Sequence, residues 1–376
     1  MHATVPTHRI QLPSSALPQQ ALEPSCGSTI WCSDVYTRLT GHGFHTVFAH
    51  LPGTGTWQHG FPATAELAAH KAPYGPGFDA YADTLTDEIR GIVRDHRPDL
   101  IHAQHLGFGL ALAFARACGD TPMLAVAHGT DVIAATEHQQ ARAVLNEIVN
   151  ASVSVVVPSA AMAAEVDRLT GGAHTDRLVV VPWGVPLPAA PTARPRAGNR
   201  LHLVHAGRLD ANKSTLTAIE ALARTTGHRL TVIGTGNELE TLTQLATALD
   251  VADRVVFEPF LPRQDLFKRF SDFDAMLFTT RTLEAYGLVA VEAQAHGLPV
   301  LFSDLPGLAT TLGTGGMSFP PGDPGALASL IDHLAADPAT RQVLHREAIA
   351  NARTHDINHT AAHLAALSHA AREGTR

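Results

Sequence analysis

The chain has 376 residues, 45% of them hydrophobic and 16% charged, a composition that builds a substantial core and excludes a disordered protein. A net charge of −8 and a pI near 6.3 argue against a nucleic-acid partner, since phosphate backbones are bound by excess positive charge. Its cysteines, Cys26, Cys32 and Cys118, are odd in number and scattered, which fits a reducing cytoplasm rather than a disulfide framework. No stretch has the pattern of a signal peptide or a bilayer span. The expectation is a soluble cytoplasmic protein without membrane association.

A first strand is expected around residues 9–13, short and interrupted by prolines. Apolar runs at 46–51, 99–104, 123–129 and 152–159 follow as strands, with helical spacing over 78–95 and 108–118. Residues 186–199, rich in proline and small side chains and without periodicity, read as a linker. Beyond them the runs at 201–207, 229–234, 255–260, 274–279 and 299–303 repeat the alternation, and 324–376 reads as helical. Short apolar runs alternating with helices mark βαβ units and parallel sheets. The expected architecture is α/β, with two doubly wound Rossmann-like domains facing across a cleft and joined by a hinge. Residues 1–187 form the first domain and 188–352 the second, with a C-terminal helix in 353–376 packing back on the first. Ligands of such sheets sit beyond the carboxyl ends of the strands, so functional residues are sought there.

After the 123–127 run comes His128-Gly129-Thr130-Asp131. These small or polar residues are placed to hold sugar hydroxyls, or else form a self-satisfied turn. After the run at 201–206, Gly207, Arg208 and Lys213 stand in GRLDANKS. Arg binds two phosphate oxygens at once and Lys adds a point charge, which suits a diphosphate; a strand-capping Arg with a solvated Lys is the alternative. Gly234-Thr235-Gly236 opens like a dinucleotide fingerprint but lacks its third glycine, and reads as a tight strand-to-helix turn.

The richest stretch is LEAYGLVAVEAQAHGLPVLFSD, 283–304, in which seven residues separate Glu284 from Glu292. The chain is expected to turn at Tyr286-Gly287, to be helical from Leu288 to Gln294, and to stop at Gly297. Free amides at a helix start beside a glycine-lined turn make an anion site. A carboxylate on each side suits hydroxyl-bearing groups, so the pattern points to a phosphate flanked by sugars. The 23 histidines invite a metal reading that mostly fails. His202 and His205, three apart on a strand, fall on opposite faces. His102 and His105 can converge at a strand exit, but no carboxylate or cysteine pattern supports them.

Together these residues resemble the retaining glycosyltransferases of family 4, which have the GT-B fold. The E-x7-E pair, the GRL-x3-K loop and the HGTD turn stand in the expected order over about 99–330. The resemblance implies transfer from a nucleotide sugar, usually UDP-linked, with retention at the anomeric carbon. It implies catalytic roles for Glu284 against the donor sugar, His128 reaching that sugar, and Arg208 and Lys213 neutralising the departing diphosphate. Donor binding would further involve Gly207, the backbone amides of Tyr286, Gly287, Leu288 and Val289, and Glu292 at the ribose. The base would lie near Leu261-Pro262-Arg263, and a glycine-bearing loop at Gly27 would close over the diphosphate. No cofactor is expected beyond the nucleotide-sugar substrate, and no metal, since two protein cations can replace the ion.

The chain departs from the family pattern at Lys213-Ser214, where Lys-Gly is usual, at Trp183-Gly184, where Asn-Gly is common, and at Cys26-Gly27, where two glycines are usual. The first 120 residues hold one lysine, Lys71, and no basic helix. Lipid acceptors go with basic amphipathic surfaces, so a small soluble hydroxyl acceptor is expected: a cyclitol, an aminocyclitol of an antibiotic pathway, or another sugar. The rival readings are a sugar-nucleotide epimerase of the same fold and a non-catalytic nucleotide-sugar-binding protein.

Overall fold

The computed structural model describes residues 8–14 by their backbone, and 27–52, 61, 63–196, 198–282 and 284–374. The chain divides into two compact units: Met1–Gly184 together with Ile357–Arg376, and Val185–Asp356. The N-terminal unit runs β1 (His8–Ser14), α1 (Gly27–Leu39), β2 (Phe44–His50), β3 (Thr64–Glu66), α2 (Phe78–His96), β4 (Leu100–Gln104), α3 (Gly109–Ala117), β5 (Met123–Val126), α4 (Thr130–Glu137), α5 (Gln139–Ala151), β6 (Ser154–Val157), α6 (Ala160–Leu169) and β7 (Leu178–Val180). Its seven strands are parallel in the order β3-β2-β1-β4-β5-β6-β7.

The C-terminal unit runs β8 (His202–Ala206), α7 (Thr215–Ala223), β9 (Arg229–Ile233), α8 (Leu239–Ala248), β10 (Val255–Glu258), α9 (Arg263–Arg269), β11 (Ala275–Phe278), α10 (Leu288–Ala295), β12 (Val300–Ser303), α11 (Leu308–Leu312), β13 (Gly316–Phe319), α12 (Pro324–Ala336) and α13 (Pro338–Thr354). Six parallel strands take the order β10-β9-β8-β11-β12-β13. The last helix, α14 (Ile357–Glu373), returns to the N-terminal unit and packs on α1. Both units are doubly wound Rossmann-like α/β folds, as the alternation of runs predicts.

Central strands β4 and β5 are both buried throughout; β5 reads as an unbroken apolar run, while β4 carries His102 and Gln104 within it. In α2 the buried side chains Phe78, Ala82, Leu85 and Ile89 recur at helical spacing, leaving the polar face outward. Asp323 and Asp337 cap α12 and α13, each followed by proline at the first helical position. Between the α7 and α12 helices and the sheet, Leu203, Ile219, Leu222, Leu230, Leu277 and Ile331 form the C-terminal core.

Two expectations need correction. Residues 186–199 are no free linker: Thr192 and Ala193 bond to the side chain and carbonyl of His296, both at 2.9 Å, and Arg341 donates to the Gly198 carbonyl at 2.9 Å. These bonds strap the segment onto the C-terminal unit. The first strand is also longer than its prolines allow on paper. Pairing of β1 with β4 is registered only at Ile10 and Gln11, so Pro13 interrupts nothing on that side. Among the described residues, no helix is long and apolar enough to cross a membrane.

Candidate active site

Each sheet reverses its winding at one place, between β1 and β4 and between β8 and β11, and the candidate residues gather at the carboxyl ends there. In the C-terminal unit two loops meet. The loop after β8 carries Gly207, Arg208 and Lys213, and the loop after β11 carries Glu284, Tyr286 and Gly287. Thr279 donates to the Lys213 carbonyl at 2.9 Å and the Arg281 amide to the Asn212 carbonyl at 2.8 Å. These bonds bring Lys213 Nζ to 2.6 Å from Glu284 Oε2, with both side chains mostly buried.

Burial works to raise the Glu284 carboxyl. The Lys213 ammonium and the amides of Tyr286 and Gly287 outweigh it and hold the group below its ordinary value. Gly287 takes φ 79° at the start of α10, with Leu308 and Phe278 close to where a Cβ would stand. From there Leu288 and Val289 open the helix, so their amides belong to its free first turn. Gly297 ends it, as expected. Tyr286 is buried with its hydroxyl bonded to His355; its amide and that of Gly287, expected at the ligand, are turned to Glu284 instead.

Arg208 lies 3.2 Å from Asp210 and keeps 46% of its side chain exposed. Asp210 also accepts from the Lys213 amide at 3.0 Å, which folds the loop back on itself. Ser214, in place of the usual glycine, sits at φ 49°, a left-handed conformation costing a β-carbon about 1–2 kcal/mol. Gly234 and Gly236 have a role that sequence reading missed. A Cβ on them would lie 1.8 Å from the Gly207 carbonyl oxygen and 2.1 Å from that of Leu209, so only glycine lets the loop after β9 press against the loop after β8. Glu292, in α10, pairs with Arg263 at the start of α9 at 2.5 Å, which joins the two residues expected at ribose and base.

In the N-terminal unit the HGTD turn is organised by its aspartate. Asp131 is fully buried and accepts from the amides of Leu106 (2.7 Å), His128 (3.1 Å), Gly129 (2.6 Å) and Val132 (3.0 Å). Burial raises its carboxyl despite those four donors. Of the two readings of the HGTD turn, Asp131 follows the self-satisfied one: it is bonded to backbone and positions His128. His128 bonds through Nε2 to Gln104 Oε1 at 2.7 Å, and burial holds the ring neutral, its pKa pushed down to about 3. His105 stacks on it with ring centroids 4.2 Å apart.

Trp183 stacks on Trp31 at 4.7 Å and lies 4.9 Å from His128. The Trp-Gly departure thus fills the site wall with an indole. Gly27 opens α1 rather than sitting within a loop, and Cys26 lies outside the described residues. His102 and His105 do not converge: His102 bonds to Tyr36 and Ser368, His105 to Ser28. His202 and His205 likewise take separate partners, Thr231 for one, Thr215 and the Leu277 carbonyl for the other.

The model of Glycosyltransferase Family 4 matches residues 27–187 and that of Glycosyl transferases group 1 matches 191–353, one on each unit. The chain belongs to glycosyltransferase family 4. This family-4 chain is 30% identical to the glycogen synthase of Mycobacterium tuberculosis over 271 residues, 67% of the chain and 64% of that protein. The match therefore spans just under two thirds of that relative's length. It is 29% identical to D-inositol 3-phosphate glycosyltransferase 1 of Catenulispora acidiphila over 308 residues, 74% of the chain and 73% of that protein.

Among solved structures, the sucrose-phosphate synthase of Thermosynechococcus elongatus superposes with a TM-score of 0.83 at 22% identity, covering 96% of this chain and 98% of that one. HepE of Anabaena, solved with UDP-glucose, gives 0.79 at 19% identity, covering 96% and 99%. At such identities the likeness establishes the GT-B fold. Among the described residues of the family-4 chain, no group of three or more His, Cys, Asp or Glu is placed to hold a metal ion.

Proposed function

We propose that this family-4 chain is a retaining hexosyltransferase. It moves a sugar from a UDP-linked donor to a small soluble hydroxyl acceptor of the cyclitol or aminocyclitol kind, in the cytoplasm and without a metal. One observation carries the reading: Lys213 and Glu284 meet at 2.6 Å beside the Gly287 turn and the free amides of α10. A cation and a helix start stabilise the charge that grows on a departing diphosphate, and the carboxylate suits the hydroxyls of the attached sugar. Arg208 adds a second cation, and Glu292 with Arg263 serves the nucleoside. In the N-terminal unit, the neutral ring of His128 suits a sugar hydroxyl as its acceptor.

In the reaction the bond from the anomeric carbon to the phosphate oxygen breaks and one to the acceptor oxygen forms on the same face. The acceptor's proton passes to the leaving phosphate. The UDP assignment is supported by the UDP-glucose complex of HepE. The cyclitol assignment is supported by the inositol phosphate glycosyltransferases among the relatives.

A panel of nucleotide sugars, read first by slow hydrolysis to free UDP or GDP and then with cyclitol acceptors, tests it. The expected result is UDP release and a new glycoside with the donor's anomeric configuration. An isomerised sugar nucleotide formed without acceptor identifies an epimerase instead, and binding without turnover identifies a non-catalytic protein.

A further inference from the structure

A chain of buried hydrogen bonds in the N-terminal unit runs from the last helix to His128. Ser368 Oγ lies 2.6 Å from the Leu364 carbonyl oxygen. Two oxygens that close need a hydrogen between them, so the single hydroxyl proton of Ser368 points to its own helix. Ser368 Oγ is then an acceptor towards His102 Nε2 at 3.1 Å, and His102 must carry its proton there. Its Nδ1, left bare, accepts from the Tyr36 hydroxyl at 2.8 Å. Tyr36 in turn accepts from Gln104 Nε2 at 2.8 Å, which turns the amide oxygen towards His128 Nε2 at 2.7 Å. Cys32 donates to that same oxygen at 3.4 Å. Every member is buried, so no water competes for these bonds.

The polarity set at Leu364 therefore decides the proton position on a ring four side chains away. His128 carries hydrogen on Nε2, and its buried Nδ1 has no hydrogen-bond partner among the described residues. We propose that Gln104, Tyr36, His102 and Ser368 are positioning residues that lock His128 in the Nε2–H tautomer, so that Nδ1 is a bare acceptor and the group it takes is a substrate hydroxyl, never a phosphate oxygen. The assignment of that hydroxyl to a sugar or acceptor rests on the proposed transfer reaction; the tautomer lock does not. Burial favours the same state, because it holds His102, like His128, neutral with a pKa of about 3 and raises the Tyr36 hydroxyl so that it stays protonated.

The test is the ¹⁵N spectrum of the imidazoles in the full chain, with His128 assigned by its loss in His128→Ala. The expected wild-type spectrum has His128 protonated at Nε2 alone; a ring protonated at Nδ1 overturns the proposal whether or not transfer is observed. Tyr36→Phe keeps the packing but frees the Gln104 amide to flip. His128 is then expected to show both tautomers and kcat to fall about tenfold, the worth of one hydrogen bond, with UDP affinity unchanged. If that variant does not fold, Ser368→Ala removes the acceptor at the far end, with the same expectation. A folded variant of either kind that keeps a single Nε2–H tautomer and wild-type kcat overturns the relay. A normal spectrum in a chain that transfers no sugar leaves the lock standing and removes the transfer reading.

Discussion

At the ends of β8 and β11 the polar groups are charged and paired, Lys213 with Glu284 and, from the neighbouring helices, Arg263 with Glu292. At the ends of β4 and β5 in the other unit Asp131 is held by backbone amides, and the side chains beside it are neutral and chained, His128 to Gln104 to Tyr36 to His102. The two sheets have the same winding, so topology does not cause the contrast. The proposed ligands of the two strand ends account for it. A growing diphosphate charge needs fixed cations, which must be balanced by carboxylates when they are mostly buried. An imidazole can accept from a hydroxyl only while it is neutral, and burial keeps it so near pH 7.

The largest expected effect comes from removing a cation. Lys213→Ala should lower kcat about a hundredfold or more, with less effect on KM, because the phosphate charge it meets grows in the transition state. It also leaves Glu284 without its counter-ion. Losing one partner of a fully buried pair costs about 3–5 kcal/mol, and the remaining exposure of 21% and 14% here puts the loss below that range. A Lys213→Ala protein with nearly full turnover would make this lysine a structural counter-ion only. On the neutral side, His128→Ala should lose about tenfold or more in transfer while UDP still binds, since one substrate hydrogen bond disappears, and should melt below the wild type because a buried ring and its bond to Gln104 are lost.

Acid should act on the buried imidazoles of both units, since burial also lowers His205 and His296 of the C-terminal unit, to about 4. His102 and His128 titrate near pH 3 in the fold, against about 6.5 for free imidazole. Both folded values are depressed, so the unfolded chain binds more protons between those limits. The stability tied to the neutral rings is whole above pH 6.5 and is lost as pH falls towards 3. The share tied to Glu284, whose pKa is depressed from an ordinary 4.5, is whole above that pH and lost only below it. Thermal melts between pH 7 and 5 should therefore show a falling Tm in wild type; a flat Tm over that range contradicts the buried neutral network.

Much of this was legible in the sequence, and the misses have physical causes. Central strands are long apolar runs, and Gly287 and Gly297 bracket α10 as written. The edge strands β3 and β7 have three residues each, too short for any periodicity. The strap at 192–198 was hidden because its bonds go to residues a hundred or more positions away. Lys213 was singled out because a cation stands out after an apolar run, Glu284 and Glu292 by their spacing, and Arg263 only through the family resemblance. Gln104, Tyr36 and Ser368 were not, because a neutral polar residue inside a strand or helix carries no pattern. Of the three, only Gln104 lay in a run that drew notice, IHAQH, where a metal reading had no supporting ligands.

Smaller effects refine the charged side. Glu292→Gln should weaken UDP binding about tenfold with a smaller change in kcat, as expected for a contact present before and during reaction. Equal UDP losses in Glu292→Gln and Glu284→Gln would contradict the separate placement of those carboxylates at ribose and sugar. Chelation should have the least effect of all. Transfer is expected to continue in EDTA, and complete loss restored by magnesium or manganese would refute the use of Lys213 and Arg208 in place of an ion.

The central claim is that charge holds the nucleotide in one unit while a neutral ring in the other meets only a hydroxyl. Calorimetric titration of UDP into Lys213→Ala and His128→Ala, side by side with wild type, tests it directly. The account predicts that UDP affinity falls in Lys213→Ala and stays at the wild-type value in His128→Ala. Equal losses in both, or a loss confined to His128→Ala, would contradict it.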